Sequence, residues 1–316
     1  MRRALLIGID DYPSAPLAGC INDAEALSDL LATHADGSPN FETRVMRSDT
    51  EQITRASLRQ AITALFADPA DVALLYFSGH GTENDLGGYL VTPDAARYDE
   101  GVPLSDVLTM ANRCTDIREI AIILDSCHSG ALGTVPPTTN DQVHIREGIS
   151  ILTASRASQP AYEADGRGLF STLVCSALDG GAADVRGHVT VAAVYAYVDQ
   201  SFGAWDQRPL FKAHVSRMLS LRTGEPLVPL DVLRRLPEWF PAADHDFALS
   251  PAHEWTQEPR DDEAEAIFKC LQKCANAKLV VPIDHEAMYW AAIHSTGCRL
   301  TSLGQFYWQL ANAGRL

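Results

Sequence analysis

Two buried-strand patterns dominate the first half of the chain. Residues 71–77 and 119–124 are nearly continuous apolar runs, and each stops abruptly at small and polar residues. Such runs are typical of strands in a parallel sheet that is covered on both faces. Ligands and catalytic groups collect at the carboxyl ends of these strands. We therefore expect His80 and Cys127, which follow the two runs, to lie close together.

The surrounding pattern predicts alternating strands and helices. Further strands are expected at 3–9, 42–47, 89–91 and 149–153, an edge strand at 209–213, and helices at 18–31, 53–66, 104–112, 169–178 and 189–202. Asp49-Thr50 is expected to cap the second helix, and Thr92-Pro93-Asp94 to form a turn. The alternation is typical of an α/β fold whose mostly parallel central sheet is flanked by helices.

The composition of the chain changes at Gly224-Glu225-Pro226, which we expect to be a domain boundary. Two domains are therefore predicted, at 1–222 and 223–316. The second is expected to be small and mainly helical, and residues 300–308 resemble the end of a winged-helix unit. Its predicted helices are 261–274, 285–294 and 302–313.

Composition narrows the class of partner. The chain has 316 residues, 46% of them hydrophobic, and a net charge of −16. Because binding to nucleic acid or to an anionic membrane needs clustered Lys and Arg, we expect neither partner. The apolar run at 4–9 is too short for a signal peptide, and no run approaches the ~18 residues of a membrane span, so a cytoplasmic location is predicted. Seven cysteines without framework spacing indicate reduced thiols.

His80 and Cys127 are suited to acyl transfer. A neighbouring imidazole activates a thiol by accepting its proton or by stabilising the thiolate. The reaction also needs hydrogen-bond donors for the developing oxyanion. The glycines on both sides of His80 let the backbone approach a substrate closely, and the amides of Gly81 and Cys127 can supply these donors. The pair therefore predicts a cysteine hydrolase.

The motifs around these residues resemble those of a known family, the caspase-like peptidases, and in particular its metacaspase and bacterial orthocaspase branch. The motifs similar to the family's catalytic p20 region are Cys-Ile-Asn-Asp at 20–23, Ser-Gly-His-Gly at 78–81 and Asp-Ser-Cys-His-Ser-Gly at 125–130. Those similar to the start of its p10 region lie at 151–156 and 168–171. The resemblance spans residues 3–220, and the paired motifs occur in the family's order.

The resemblance implies a caspase-hemoglobinase fold and peptidase activity. It divides the first domain into a p20-like part at 1–132, a loop at 133–147 and a p10-like part at 148–222. By the same resemblance His80 is the general base and Cys127 is the nucleophile. The amides of Gly81 and Cys127 then form the oxyanion hole.

The resemblance also implies a specificity pocket. Asp23 and Asp125 are implied to lie at the floor of the pocket for the side chain before the scissile bond. Ser155 is implied to line the substrate strand, which binds by β-addition. Two carboxylates in a partly desolvated pocket select a cation. We therefore predict a protein substrate that is cleaved after Arg or Lys, and not after Asp.

Three further expectations concern regulation. No cofactor is expected, because Asp94 and Asp99 alone do not make the acidic cluster that calcium activation would need. The first predicted strand begins almost at Met1, so inhibition by a pro-segment is not expected. Arg146 lies beside the loop at 133–147, and self-cleavage after it is a hypothesis.

Other interpretations of the same sequence stay open. A zinc site is less favoured than simple packing, because the spacing matches no standard ligand pattern at Cys270, Cys274, His285, His294 and Cys298. The leading function is an Arg/Lys-specific cysteine endopeptidase in bacterial stress or antiphage defence, with a C-terminal domain that recruits or regulates through a protein partner. The alternatives are a catalytically silent caspase-like scaffold that acts through that domain, and a cysteine acyl-transferase.

Overall fold

A computed structural model describes most of the chain, over residues 1–85, 87–96, 99–126, 144–154, 163–164, 166–202, 208–258 and 261–316. Two of the residues singled out in the sequence, Cys127 and Ser155, lie outside this part. Contacts divide the chain into two units, one formed by Met1–Ala183 with His188–Gly224 and the other by Asp184–Gly187 with Glu225–Leu316.

The first unit alternates strands and helices. In chain order its strands are β1 (Arg2–Gly8), β2 (Glu42–Arg47), β3 (Ala70–Ser78), β4 (Gly81–Asn84), β5 (Gly87–Ala96), β6 (Asp99–Pro103), β7 (Ile117–Asp125), β8 (Ile149–Thr153), β9 (Glu163–Ala164), β10 (Arg167–Gly168), β11 (His188–Val189), β12 (Leu210–His214) and β13 (Arg222–Thr223). Its helices are α1 (Cys20–Ala32), α2 (Arg55–Leu65), α3 (Leu104–Arg113), α4 (Leu169–Ser176), which continues into a π-helical turn at Ala177–Gly181, and α5 (Val191–Gln200).

Six of these strands form the central sheet, in the order β12-β8-β7-β3-β1-β2. All neighbours are parallel except β12, which pairs antiparallel with β8 at the edge. Alternate side chains of each strand enter two different hydrophobic clusters, because successive residues of a strand point to opposite faces. One cluster contains residues of α2 and α3, and the other contains residues of α1, α4 and α5. The sheet is therefore covered on both faces, as predicted.

Most predicted elements of this unit are confirmed, and two details are wrong. Thr54, rather than Asp49-Thr50, caps α2, because its side chain accepts a hydrogen bond from the amide of Ser57. The predicted turn at 92–94 lies inside β5, whose pairing with β6 shifts register between Val91 and Ala96. Such an irregularity lets the middle strand of this small sheet accommodate a proline, which cannot donate to the ladder.

The second unit combines short helices with a small antiparallel sheet. Its helices are α6 (Leu230–Arg234), α7 (Leu236–Trp239), α8 (Asp262–Asn276), α9 (Met288–Ile293) and α10 (Ser302–Asn312), with a 3₁₀ turn at Pro251–His253. Its strands β14 (Asp246–Phe247), β15 (Val280–Pro282) and β16 (Cys298–Leu300) pair in the order β14-β16-β15. The sequence pattern of residues 226–258 did not predict α6 and α7. These helices have five and four residues and are too short to show a helical period.

None of the helices in the described part of the chain has the length and apolar content needed to cross a bilayer.

Candidate active site

His80 follows β3 directly and is held by backbone from a distant loop. Its Nε2 lies 2.7 Å from the carbonyl oxygen of Ala15. Because a carbonyl oxygen only accepts, this contact places the ring hydrogen on Nε2 and leaves the lone pair of the neutral ring on Nδ1. The contact also stabilises a positively charged ring. The geometry therefore makes Nδ1 the nitrogen that can take a proton from a substrate or a thiol.

Tyr12 fixes the backbone of the same histidine. The amide of His80 donates to the Tyr12 hydroxyl at 3.0 Å, and that hydroxyl donates to the carbonyl of Val91 at 3.1 Å. The two rings lie 4.5 Å apart between centroids. A side chain at residue 79 would stand 2.5 Å from the Tyr12 hydroxyl, so Gly79 is required by this contact.

The strands that precede the two predicted catalytic residues in the sequence end at one edge of the sheet. β3 and β7 are parallel neighbours, with Ser78 paired to Asp125 at their carboxyl ends. His80 and Cys127 each follow these paired residues by two positions. Cys127 lies outside the described residues, so its role as nucleophile stays a prediction. Gly81 begins β4 directly after His80, and its oxyanion role likewise stays a prediction.

Asp23 lies in the first turn of α1 with 1% of its surface exposed. The helix is fixed at this edge because the carboxylate of Asp10 accepts from the amides of Cys20 at 2.9 Å and Ile21 at 3.3 Å. Asp23 itself accepts from the amide of Gly168 at 3.0 Å through Oδ2. The N-terminal turn of a helix also favours a negative charge.

Asp125 reaches the same place from the end of β7. Side chains 121 and 123 belong to the cluster that α1 and α4 cover, and the period of two puts Asp125 on that face. Its Oδ2 accepts from the hydroxyl of Ser171 on α4, and Ser171 also contacts the hydroxyl of Tyr76 at 2.6 Å. A Cβ at Gly168 would stand 2.8 Å from Asp125 Oδ2 and 3.0 Å from Asp23 Oδ2. The two carboxylates therefore converge on one point, which only glycine leaves open.

Burial dominates the electrostatics around these two carboxylates. Burial raises the pKa of Asp23 to about 7, and the Asp125 carboxylate adds to the rise, while the Gly168 amide and Arg167 act in the opposite direction. Arg167 Nε donates to Asp23 Oδ1 at 3.1 Å. Burial also raises the pKa of the Tyr76 hydroxyl, as do both carboxylates. Ionising both carboxylates here is costly, and Arg167 offsets only part of that cost.

Sequence reasoning missed four residues that shape the site: Tyr12, Ala15, Arg167 and Ser171. Ala15 acts through its carbonyl oxygen, so its side chain carries no signal. The other three carry polar groups in motifs or turns, but their partners are 46 to 144 residues away in the chain. Only Ser171 could have been predicted from a motif, because it lies in the p10-like motif at 168–171. Ser155, the predicted lining of the substrate strand, lies outside the described residues.

The acidic residues considered for calcium have other partners. Asp94 accepts from the amide of Arg55, and Asp99 pairs with the Arg55 guanidinium, so both hold the start of α2. Over the part of the chain that the structure covers, no three His, Cys, Asp or Glu side chains are placed to hold a metal ion. In the second unit, the rings of His285 and His294, which were considered as zinc ligands, stack on each other with their centroids 4.7 Å apart.

Comparisons with known proteins agree with this architecture. Metacaspase-7 of Arabidopsis thaliana is 30% identical over 150 residues, which cover 42% of this chain and 35% of that protein. Metacaspase-1B of Aspergillus fumigatus is 30% identical over 199 residues, which cover 56% and 47% of the two chains. The chain thus spans less than half the length of either relative.

A solved structure, protein GSU0716 from Geobacter sulfurreducens, has a similar fold. It superposes with a TM-score of 0.52 at 16% identity, over 72% of this chain and 98% of that chain. The family model for the caspase domain, Peptidase C14, matches residues 1–220. That match includes the whole central sheet and both pocket carboxylates. The chain belongs to the caspase-domain family.

Proposed function

We propose that the chain is a cysteine endopeptidase that cleaves protein substrates after Arg or Lys. The observation that carries the proposal is the convergence of Asp23 and Asp125 on one point at Gly168, beside the strand ends that precede His80 and Cys127. A guanidinium or ammonium offers the donors that two carboxylates accept. An aspartate side chain would instead bring a third negative charge into a buried acidic pocket.

The proposal gives each group a definite role. Nδ1 of His80 accepts the proton of the Cys127 thiol, and the sulfur attacks the substrate carbonyl carbon. The amides of Gly81 and Cys127 hold the resulting oxyanion. When the peptide C–N bond breaks, the leaving amine takes the proton from His80. A water molecule then hydrolyses the thioester, with His80 accepting the water proton and returning one to sulfur. The carbonyl of Ala15 stabilises the ring while it is charged.

Peptide hydrolysis tests this proposal. Fluorogenic peptides that end in Arg, Lys or Asp are compared on the wild-type protein and on Cys127→Ala, with added calcium and with chelator. We expect kcat/KM for Arg or Lys to exceed that for Asp by at least about 100-fold, since one charge-assisted hydrogen bond contributes roughly 1.5–3 kcal/mol and repulsion adds to the difference. Calcium is expected to have no effect. Preference for Asp, or hydrolysis that survives in Cys127→Ala, contradicts the proposal.

The second unit is proposed to recruit or regulate through a protein partner, in bacterial stress or antiphage defence. Several of its aromatic side chains support this role because they are exposed: Trp255 by 64%, Trp290 by 50% and Phe306 by 52%. In a bacterial host we expect protection from phage to be lost in Cys127→Ala and in Trp290→Ser/Phe306→Ser, while the second variant still cleaves peptides. Protection that persists in Cys127→Ala favours the silent scaffold instead.

A further inference from the structure

The acidic pocket contains a cation of its own. The guanidinium of Arg167 donates through Nε to Asp23 Oδ1, and its Nη2 lies 3.2 Å from the sulfur of Cys175 on α4. Cys175 is buried and lies seven residues beyond Gly168, further along the same helix. The Arg167 side chain is itself only 28% exposed. The guanidinium is therefore fixed at two points rather than free to move with a substrate.

Arg167 contacts Asp23 on the side away from the convergence point. Oδ1 of Asp23 accepts from Arg167, whereas Oδ2 accepts from the Gly168 amide and faces the point that it shares with Asp125. A basic side chain of a substrate can thus meet Asp23 Oδ2 and Asp125 while Arg167 stays in place. Arg167 therefore does not occupy the place of the substrate side chain, as an inhibitory residue would.

The charges of the pocket require such a group. Two ionised carboxylates side by side in a buried site repel each other, and a nearby cation lowers the free-energy cost of ionising both. Among the residues that the structure describes, the titratable groups near Asp23 come from five elements: Cys20 on α1, Tyr76 on β3, Asp125 on β7, Arg167 on β10 and Cys175 on α4. Arg167 is the cation in this set. When both carboxylates are ionised, Asp23, Asp125 and Arg167 together carry a net charge of minus one.

We propose that Arg167 is a positioning residue that orients Asp23 and favours its ionised form before substrate binds, so that the pocket is matched to one basic side chain. The assignment rests on the proposed Arg/Lys specificity and adds to it the residue that sets the charge of the pocket. Arg167 does not touch the substrate. Its removal should therefore act through the protonation of Asp23.

The test compares Arg167→Met, Arg167→Lys and, as a matched control, Arg59→Met, which removes an exposed ion pair with Asp106 in the same unit. The pH dependence of kcat/KM on a peptide ending in Arg is measured over about pH 5–9. We expect Arg167→Met to move the acidic limb upward by about one pH unit, because an adjacent opposite charge shifts a carboxyl by roughly 1–3 units. At neutral pH its KM should rise by a larger factor than its kcat falls. Arg167→Lys should return the limb toward the wild-type position, and Arg59→Met should leave it unchanged.

A loss of activity that is equal at all pH values would overturn the proposal, since that is the result of a merely structural contact. Carbon-13 NMR of the aspartate carboxyls, with the Asp23 signal assigned through Asp23→Asn, gives a readout that needs no activity. The titration midpoint of Asp23 should rise in Arg167→Met, and an unmoved midpoint rejects the role of Arg167. If the wild-type protein cleaves no basic peptide, the proposed function fails, and the NMR result still decides the assignment of Arg167 separately.

Discussion

A methyl group at residue 168 should close the specificity pocket without unfolding the chain. In Gly168→Ala the new carbon would stand 2.8 Å from Asp125 Oδ2 and 3.0 Å from Asp23 Oδ2, whereas carbon and oxygen normally stay about 3.5 Å apart. The carboxylates must move apart, and the space for the substrate cation is lost. Residue 168 has φ −69° and ψ 137°, a conformation that alanine adopts freely, so no backbone strain is added.

The magnitude follows from the contact that is lost. One charge-assisted hydrogen bond contributes about 1.5–3 kcal/mol, which corresponds to a fall of about 10- to 150-fold in kcat/KM for peptides ending in Arg. Overlap costs about 1–3 kcal/mol of stability, and the reduced freedom of the unfolded chain returns about 0.4–1 kcal/mol. The variant should therefore remain folded in a thermal unfolding experiment.

The matched control is Gly37→Ala, whose new methyl meets no atom within 4 Å but is forced into a φ of +81°. It should lose about 1 kcal/mol of stability and keep its kinetics. If Gly168→Ala cleaves peptides ending in Arg as well as the wild-type protein does, the two carboxylates do not form the pocket.

Three further predictions test single groups. Tyr12→Phe leaves the His80 amide without its acceptor, so we expect a loss of about 1–2 kcal/mol in the free energy of unfolding and a lower kcat; unchanged kinetics would show that the hydroxyl does not position the ring. Because the pKa of Asp23 is raised to about 7 in the folded chain, the folded state keeps a proton that the unfolded state releases, and stability should fall as pH rises between about 4 and 7, by at most about 4 kcal/mol. Denaturant titrations should find this fall much reduced in Asp23→Asn, and an equal slope in both proteins argues against the raised pKa. The Arg146 side chain donates to the carbonyls of residues 111, 117 and 147, so Arg146→Met should lose about 2 kcal/mol of stability. Because the same contacts hold Arg146 in the folded chain, the mass of the purified wild-type protein should show no break after residue 146. A break at that bond would mean that these contacts open in the folded protein and would support self-cleavage there.

Much of the sheet could be predicted because its signals are local. The apolar runs of β3 and β7 are long and bounded by polar residues, and that of β7 is rich in isoleucine, so the type of these strands and their ends were evident. The hairpins formed by β4, β5 and β6 were mostly missed, since their sequence mixes glycine, proline and charge in a way that also suits loops. The pairing partners, not the residues, make these segments strands.

In the candidate site, too, the sequence predicted the residues with local signals and not the contacts between distant segments. Asp125 could be placed on the face of α1 and α4 by the period of two along β7, and the motif drew attention to Asp23. Neither signal indicates that Gly168 stands between them, because that contact depends on the packing of α4 against α1 across about 145 residues of chain. The contact of the Ala15 carbonyl with His80 could not be predicted from the sequence, because every residue has the same backbone acceptor.

Covalent labelling of the Cys127 thiol is a direct test of the nucleophile and of its specificity for basic side chains. A peptide chloromethyl ketone alkylates a thiolate, and chloride leaves, only when the nucleophile, its base and the pocket work together. With a reagent that ends in Arg, we expect a single adduct on Cys127, located by mass spectrometry of fragments, that forms at least about 100-fold faster than with the reagent ending in Asp. The same adduct should be absent in His80→Ala. Equal rates with the two reagents, or an adduct at another cysteine, would contradict the assignment of a basic-side-chain-specific cysteine peptidase.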